Sequence, residues 1–150
     1  GKLIMSYPIL ITIHIFAAIA FIGVVFFEVI FLESIRKKIP ANTMLLLQEG
    51  ITSRARQIMP YVLACLFLSG LAMAYSHFPH FANMWSSSFG ILLSIKMVLA
   101  FSVLGHFFTA MYLSRTGKMS CSRFKFIHLS VFSHQILIVL LAKNMFYIAW

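Results

Sequence analysis

Apolar positions in this chain come in long unbroken runs, with polar residues gathered between them. Four runs stand out, over residues 7–35, 56–75, 89–114 and 124–148. Each approaches or exceeds the ~20 residues that a helix rising ~1.5 Å per residue needs to cross ~30 Å of hydrocarbon. The runs lack period-two alternation, and an open sheet edge in lipid would leave backbone groups unsatisfied. The pattern therefore predicts an all-α integral membrane protein with four spanning helices.

Local signals set the ends. Pro8 and Pro60 suit first turns, where the missing N–H is unsatisfied in any case. Ser86, Ser87 and Ser88 form a start signal for the third span, and Gly117 follows its end. Residues 39–55 read as a short amphipathic helix on the inner membrane surface, carrying Met44, Leu45, Leu46 and Leu47 between polar flanks. Connections of these lengths favour an up-down-up-down bundle, with spans one and three running inward. Residues 1–150 read as one unit without repeats. The opening run, Leu3 to Leu32, is too long for a signal-peptide core and has no small-residue cleavage pattern, so it reads as a mature helix. Cys65, in a helix, and Cys121, in a loop, fall in different layers, so a disulfide is not expected.

Composition agrees with the runs: 61% of the 150 residues are hydrophobic and 10% are charged, against roughly 25% charged in soluble domains. The formal charge of +9 changes the picture through its placement. Arg36, Lys37, Lys38, Arg54 and Arg56 lie between the first two spans, and Arg115, Lys118, Arg123 and Lys125 between the last two. Nine of twelve basic residues thus face one side, expected to be the cytoplasm. Both termini and the loop from Ser76 to Ser88 then face outward, with Trp85 and Trp150 at the outer interface. The basic loops fix orientation and meet anionic lipid, so nucleic acid is not an expected partner.

Ionisable residues inside a span usually mark an interior site, because each costs at least ~2.5 kcal/mol near the bilayer centre. Counting from the outer end, His14, Lys96 and Lys143 each lie about seven residues deep, near ~10 Å. From the inner end, Glu28, His106 and His134 share a second layer, ~15 Å deeper. Histidines from facing helices are how bundles hold haem, one imidazole on each side of the iron. His106 with His134 fits that plan, and His14 fits a ligand in the outer layer. Interhelical hydrogen bonding is the plainer role for such histidines, snorkelling for the two lysines, and structural pairing or a proton relay for Glu28. His77 and His80, with Met73 and Met84, carry donors that suit copper, although interfacial residues of this kind are common. His128, beside the basic loop, reads as a surface residue. No phosphate loop, zinc motif or serine triad appears.

These residues resemble the small HemJ-type protoporphyrinogen IX oxidases and, more distantly, the CopD-like membrane proteins. The resemblance covers most of the chain. It rests on His14-Ile15 followed by Gly23, on Arg56-Gln57-Ile58-Met59-Pro60 with Ser69-Gly70-Leu71, on Ile95-Lys96-Met97 with Gly105, and on Lys143 near the carboxyl end. The chain departs from the pattern at Val24-Val25-Phe26-Phe27-Glu28 and at His128-Leu129-Ser130-Val131. The resemblance implies a multi-pass protein of the bacterial cytoplasmic (inner) membrane that binds haem b, one or two per chain. Such a protein oxidises protoporphyrinogen IX, with His14 and Lys96 as functional residues, and a quinone is expected to take the electrons. Lys96, Lys143 and Arg56 would hold porphyrin carboxylates. Two further readings stay open: a cytochrome-b-type carrier whose haem is held by His106, His134 and His14, and a CopD-like copper-handling protein. Apolar outward faces leave room for a homodimer, with no small-residue interface to identify one.

Overall fold

In the computed structural model the chain is all-helical, with no strand among the described residues. Described are the backbone of residues 2–149 and the side chains of residues 7–149. Trp150, expected at the outer interface, lies outside them. Among the described residues, four helices are long and apolar enough to cross a membrane: Tyr7–Ile35, Ala41–His77, Ser88–Arg115 and Cys121–Asn144. Phe16, Leu68, Val98 and Phe126 are 68–70% exposed. Large apolar side chains left open in every span are what a helix in hydrocarbon presents, since lipid replaces the missing core. The chain falls into two compact units, residues 1–73 and 74–150.

The first unit is a pair of helices. α1 (Lys2–Phe26) runs directly into a π-helical stretch, Phe27–Leu32, and a last α-helical turn, α2 (Glu33–Ile35). Ala17, Phe21, Val25, Glu28 and Leu32 are its buried positions, a three-to-four-residue rhythm that gives the helix one face. The π stretch therefore places Glu28, a carboxylate only 3% exposed, on the buried face of a membrane span. Wider turns of this kind recur at functional positions.

α3 (Ala41–His77) differs from expectation. Its 37 residues form one continuous helix, and no separate in-plane segment covers 39–55. Nothing between Met44 and Arg56 breaks the helical phase, so the amphipathic stretch and the span fuse into a rod about 55 Å long at ~1.5 Å per residue. Pro60 accordingly lies within the helix and not in its first turn, and Pro8 likewise lies inside α1. Pro60 has no N–H to offer the Arg56 carbonyl four residues back. At the loop end of this unit, Arg36 holds Glu33 with two hydrogen bonds of 2.7 and 2.9 Å and reaches the Gln48 amide oxygen at 3.0 Å.

The second unit is built on an antiparallel hairpin. α4 (Ser88–Arg115) starts at Ser87, whose hydroxyl accepts from the Gly90 N–H, and α5 (Cys121–Asn144) starts at Ser120 in the same way with Arg123. Gly117, at φ 69°, ends α4 in the left-handed conformation, and the Lys118 N–H then reaches back to the Leu113 carbonyl at 3.0 Å. Cross-helix hydrogen bonds join Ser102 to His134 and Ser130 to His106, and Ser88 reaches the Ile148 carbonyl just beyond α5. From residue 88 to 102 and from 148 to 134 are 14 steps each, and from 102 to 106 and 134 to 130 are four each, so the register is constant along the hairpin. The segment Ala74–Ser87 folds over one end of it, where Ala74, Met84, Leu92, Leu93 and Met145 form an apolar cluster. Cys65 and Cys121 are free thiols.

Candidate functional site

Two histidine-centred arrangements stand out, one in each unit. In the first, α1 presents His14 to α3. Nδ1 of His14 lies 3.0 Å from the Leu66 carbonyl and 3.0 Å from the Ser69 hydroxyl. A carbonyl only accepts, so Nδ1 carries the proton and the ring lone pair resides on Nε2. The Ser69 hydroxyl is itself spoken for, donating to the Cys65 carbonyl at 2.5 Å. Gly70 completes the seat, since a Cβ there would stand 3.0 Å from His14 Cε1 and 3.4 Å from Nδ1. The imidazole is therefore fixed in tautomer and plane by little more than one turn of α3, Leu66 to Gly70. Fixing Nδ1–H on an oxygen is also how proteins prepare a histidine to bind metal through the other nitrogen.

The second arrangement lies between α4 and α5. His106 Nδ1 donates to the Ser102 carbonyl at 2.7 Å, and His134 Nδ1 donates to the Ser130 carbonyl at 2.6 Å, each one turn back on its own helix. Both Nε2 atoms then bear lone pairs, and each receives a hydroxyl from the other helix. Ser130 donates to His106 at 2.8 Å and Ser102 to His134 at 3.0 Å. The rings meet edge to face with centroids 5.1 Å apart. The same Ser-x-x-x-His unit is thus used twice, related by the antiparallel register, so that every polar atom of four side chains has a partner in a region without water.

Both places offer the donor chemistry a haem iron takes. At His14 the Nε2 nitrogen would hold the iron. A porphyrin plane between His106 and His134 does not fit rings in direct contact with their Nε2 atoms turned to serine. Ligation by one of the two from the side of the pair fits the same donors. No group of three or more His, Cys, Asp or Glu poised for a bare metal ion occurs among the described residues.

The remaining expected residues fall as follows. Lys96 is half-buried on α4, and Lys143 is exposed in the last turn of α5. By the hairpin register Lys143 lies opposite residue 93, three residues from the level of Lys96, so the two cations do share a layer of this unit. Arg56 is exposed on α3. His77 packs on Phe89, with ring centroids 5.2 Å apart, and His80 on Tyr75, at 5.4 Å, while Met84 is buried in the apolar cluster. His128, expected at the surface, is half-buried and donates Nδ1–H to the Phe124 carbonyl at 2.7 Å.

Sequence reasoning gave no role to Ser69, Ser102, Ser130 and Gln135. The repeated four-residue Ser-to-His spacing was the available signal for two of them. Gln135 is 4% exposed, and neither its amide nitrogen nor its oxygen has a hydrogen-bond partner. A buried group left so costs about 1–3 kcal/mol. No protein-family model, curated protein or solved structure matches the chain.

Proposed function

We propose that the chain is a haem-b-binding oxidoreductase of the bacterial cytoplasmic membrane, an up-down-up-down four-span bundle with both termini outside. The seat of His14 carries this reading. An imidazole locked by Leu66, Ser69 and Gly70, with its lone pair on Nε2, is prepared to bind iron or to take a proton. Of these residues, His14, Ser69 and Gly70 are among those on which the resemblance to HemJ-type proteins rests. Oxidation of protoporphyrinogen IX is accordingly the leading activity. Lys96, with Lys143 and Arg56, would hold the carboxylates of the porphyrinogen, and a quinone would accept the electrons. Bound haem supplies one-electron transfer.

The test is the visible spectrum of the detergent-purified protein. It is expected to show a Soret band and a b-type reduced-minus-oxidised difference, both lost in His14→Ala; a colourless preparation overturns the reading. With protoporphyrinogen and a quinone under anaerobic conditions, porphyrin fluorescence is expected to rise, and in Lys96→Ala to stay at background. Equal rates in the two proteins would remove the oxidase activity while leaving the haem.

The tautomers of His106 and His134 favour a second reading, a b-type electron carrier without porphyrinogen activity. There one of the two would exchange a serine hydroxyl for iron. A Soret band that survives His14→Ala and Lys96→Ala but vanishes in His106→Ala or His134→Ala selects it. Purified protein holding copper and no haem selects the copper-handling alternative instead.

A further inference from the structure

The acidic side chains of the sequence, Glu28, Glu33 and Glu49, all belong to the first unit. Glu28 is buried in a span and Glu33 is bonded to Arg36, so Glu49 is the only exposed carboxylate among them. Residues 74–150 hold Lys96, Arg115, Lys118, Arg123, Lys125 and Lys143 with no aspartate or glutamate. Four of these cations, at 115, 118, 123 and 125, lie about the turn that joins α4 to α5, and all four are exposed. Local contacts draw them together. Arg123 donates its backbone N–H to the Ser120 hydroxyl at 3.2 Å and its Nη1 to the Lys118 carbonyl at 2.7 Å, which folds the guanidinium back over the turn. Lys118 places its Nζ 5.9 Å from the centre of the Tyr112 ring. Like charges gathered in this way are stabilised by an anion among them, and the unit has no acidic side chain to supply it.

The surroundings of the charges restrict that anion. A guanidinium carries further donors beyond the one spent on the Lys118 carbonyl, and their fork matches the oxygens of a phosphate. One turn deeper the surface becomes apolar. Tyr112 precedes Arg115 by three residues on α4, and Phe126 follows Arg123 by three on α5, so each arginine has a ring on its own helix face. The two rings are 59% and 70% exposed, and both belong to spanning helices. Charge at the helix end with open hydrocarbon contact ~5 Å further in, at ~1.5 Å per residue, is the order of groups in a phospholipid. A soluble polyanion complements the cations alone. We propose that the α4–α5 turn is a binding site for an anionic phospholipid. Its phosphate is held by Arg123 and Lys118, with Arg115 and Lys125 beside them, and its acyl chains lie against Tyr112 and Phe126. The basic loop of the first unit differs, because there Glu33 already neutralises Arg36.

The test uses the full chain in dodecyl maltoside micelles. Thermal unfolding is followed as dioleoylphosphatidylglycerol, or the neutral dioleoylphosphatidylcholine, is added. Wild type is expected to be stabilised by the anionic lipid and not by the neutral one, since a ligand of the folded state raises its apparent stability. Lys118→Gln/Arg123→Gln is expected to bind the anionic lipid about tenfold more weakly, or worse. Lys37→Gln/Lys38→Gln removes the same charge from the other basic loop and is expected to stay within about twofold of wild type. Equal stabilisation by the two lipids overturns the proposal. Equal losses in the two double variants overturn it as well, because net charge and not a site would then attract the lipid. Arg115→Gln/Lys125→Gln leaves the bond between Arg123 and Lys118 intact, and is expected to weaken binding several-fold; wild-type affinity in it overturns the proposal even where the first pair unsettles the turn. Glycerol 3-phosphate and polyglutamate are added in place of lipid and are expected to give no rise. A rise from either at the lipid's own concentration overturns the choice of a lipid in favour of a free phosphate or an acidic protein.

Discussion

The Ser130 hydroxyl of α5 donates to Nε2 of His106 on α4 at 2.8 Å, and the relation is returned by Ser102 and His134 at 3.0 Å. Each serine serves twice, its hydroxyl across the hairpin and its carbonyl along its own helix. Interhelical hydrogen bonds in membranes average about 0.6 kcal/mol and reach about 1.7. Ser102→Ala and Ser130→Ala are each expected to cost about 1 kcal/mol in detergent unfolding. Ser133→Ala is the control, since Ser133 bonds only the Leu129 carbonyl of its own helix. Equal losses in all three variants would show that the cross-helix bonds add nothing.

The seat of His14 predicts a steric effect at Gly70. A methyl group there would stand 3.0 Å from the imidazole, tighter than side chains normally tolerate. If His14 binds haem as proposed, Gly70→Ala is expected to shift the Soret maximum or lower haem content by several-fold. Its helix should be intact by circular dichroism, because alanine favours helix over glycine by roughly 1 kcal/mol. Unchanged haem with unchanged band position would mean that His14 does not ligate.

Gly117 closes α4 at positive φ, where an alanine Cβ crowds the backbone. Gly117→Ala is expected to destabilise the hairpin by about 1 kcal/mol, and Gly117→Asn by less, since asparagine tolerates the left-handed region. Thermal unfolding of the two variants side by side checks the order.

Ser87 and Ser120 cap the two helices of that hairpin through the N–H groups of Gly90 and Arg123. Replacing either by alanine is expected to cost about 1 kcal/mol, and by glycine only a few tenths. Faster amide hydrogen exchange confined to the first turn of the affected helix is the accompanying signature.

Much of the architecture was legible because a membrane span is a one-dimensional signal. The run from Tyr7 to Ile35 coincides with the first spanning helix, Ser87 is the cap that the triple serine announced, and Gly117 is the stop. The continuity of α3 was not legible: a polar stretch between Met44 and Arg56 looks like a connection, yet nothing in it interrupts a helix. Depth counting placed His106 and His134 at one level, and they do meet. Their serines escaped notice because a hydroxyl in a helix more commonly bonds its own preceding turn, as Thr109 and Ser133 do. Only the register of two helices distinguishes one use from the other. Gln135 carries no charge, so a search for ionisable groups passed over it.

The length of α3 has a mechanical meaning. A rod of about 55 Å in a hydrocarbon layer of ~30 Å reaches well beyond the layer. The hydrogen bond missing between Pro60 and the Arg56 carbonyl is its softest point against bending. Toward one end lies Gln48, held by Arg36; toward the other lie Leu66, Ser69 and Gly70, which hold His14. The helix is therefore jointed near Pro60, so a sideways push on the Gln48 arm bends it there before it turns the wall against which the imidazole rests.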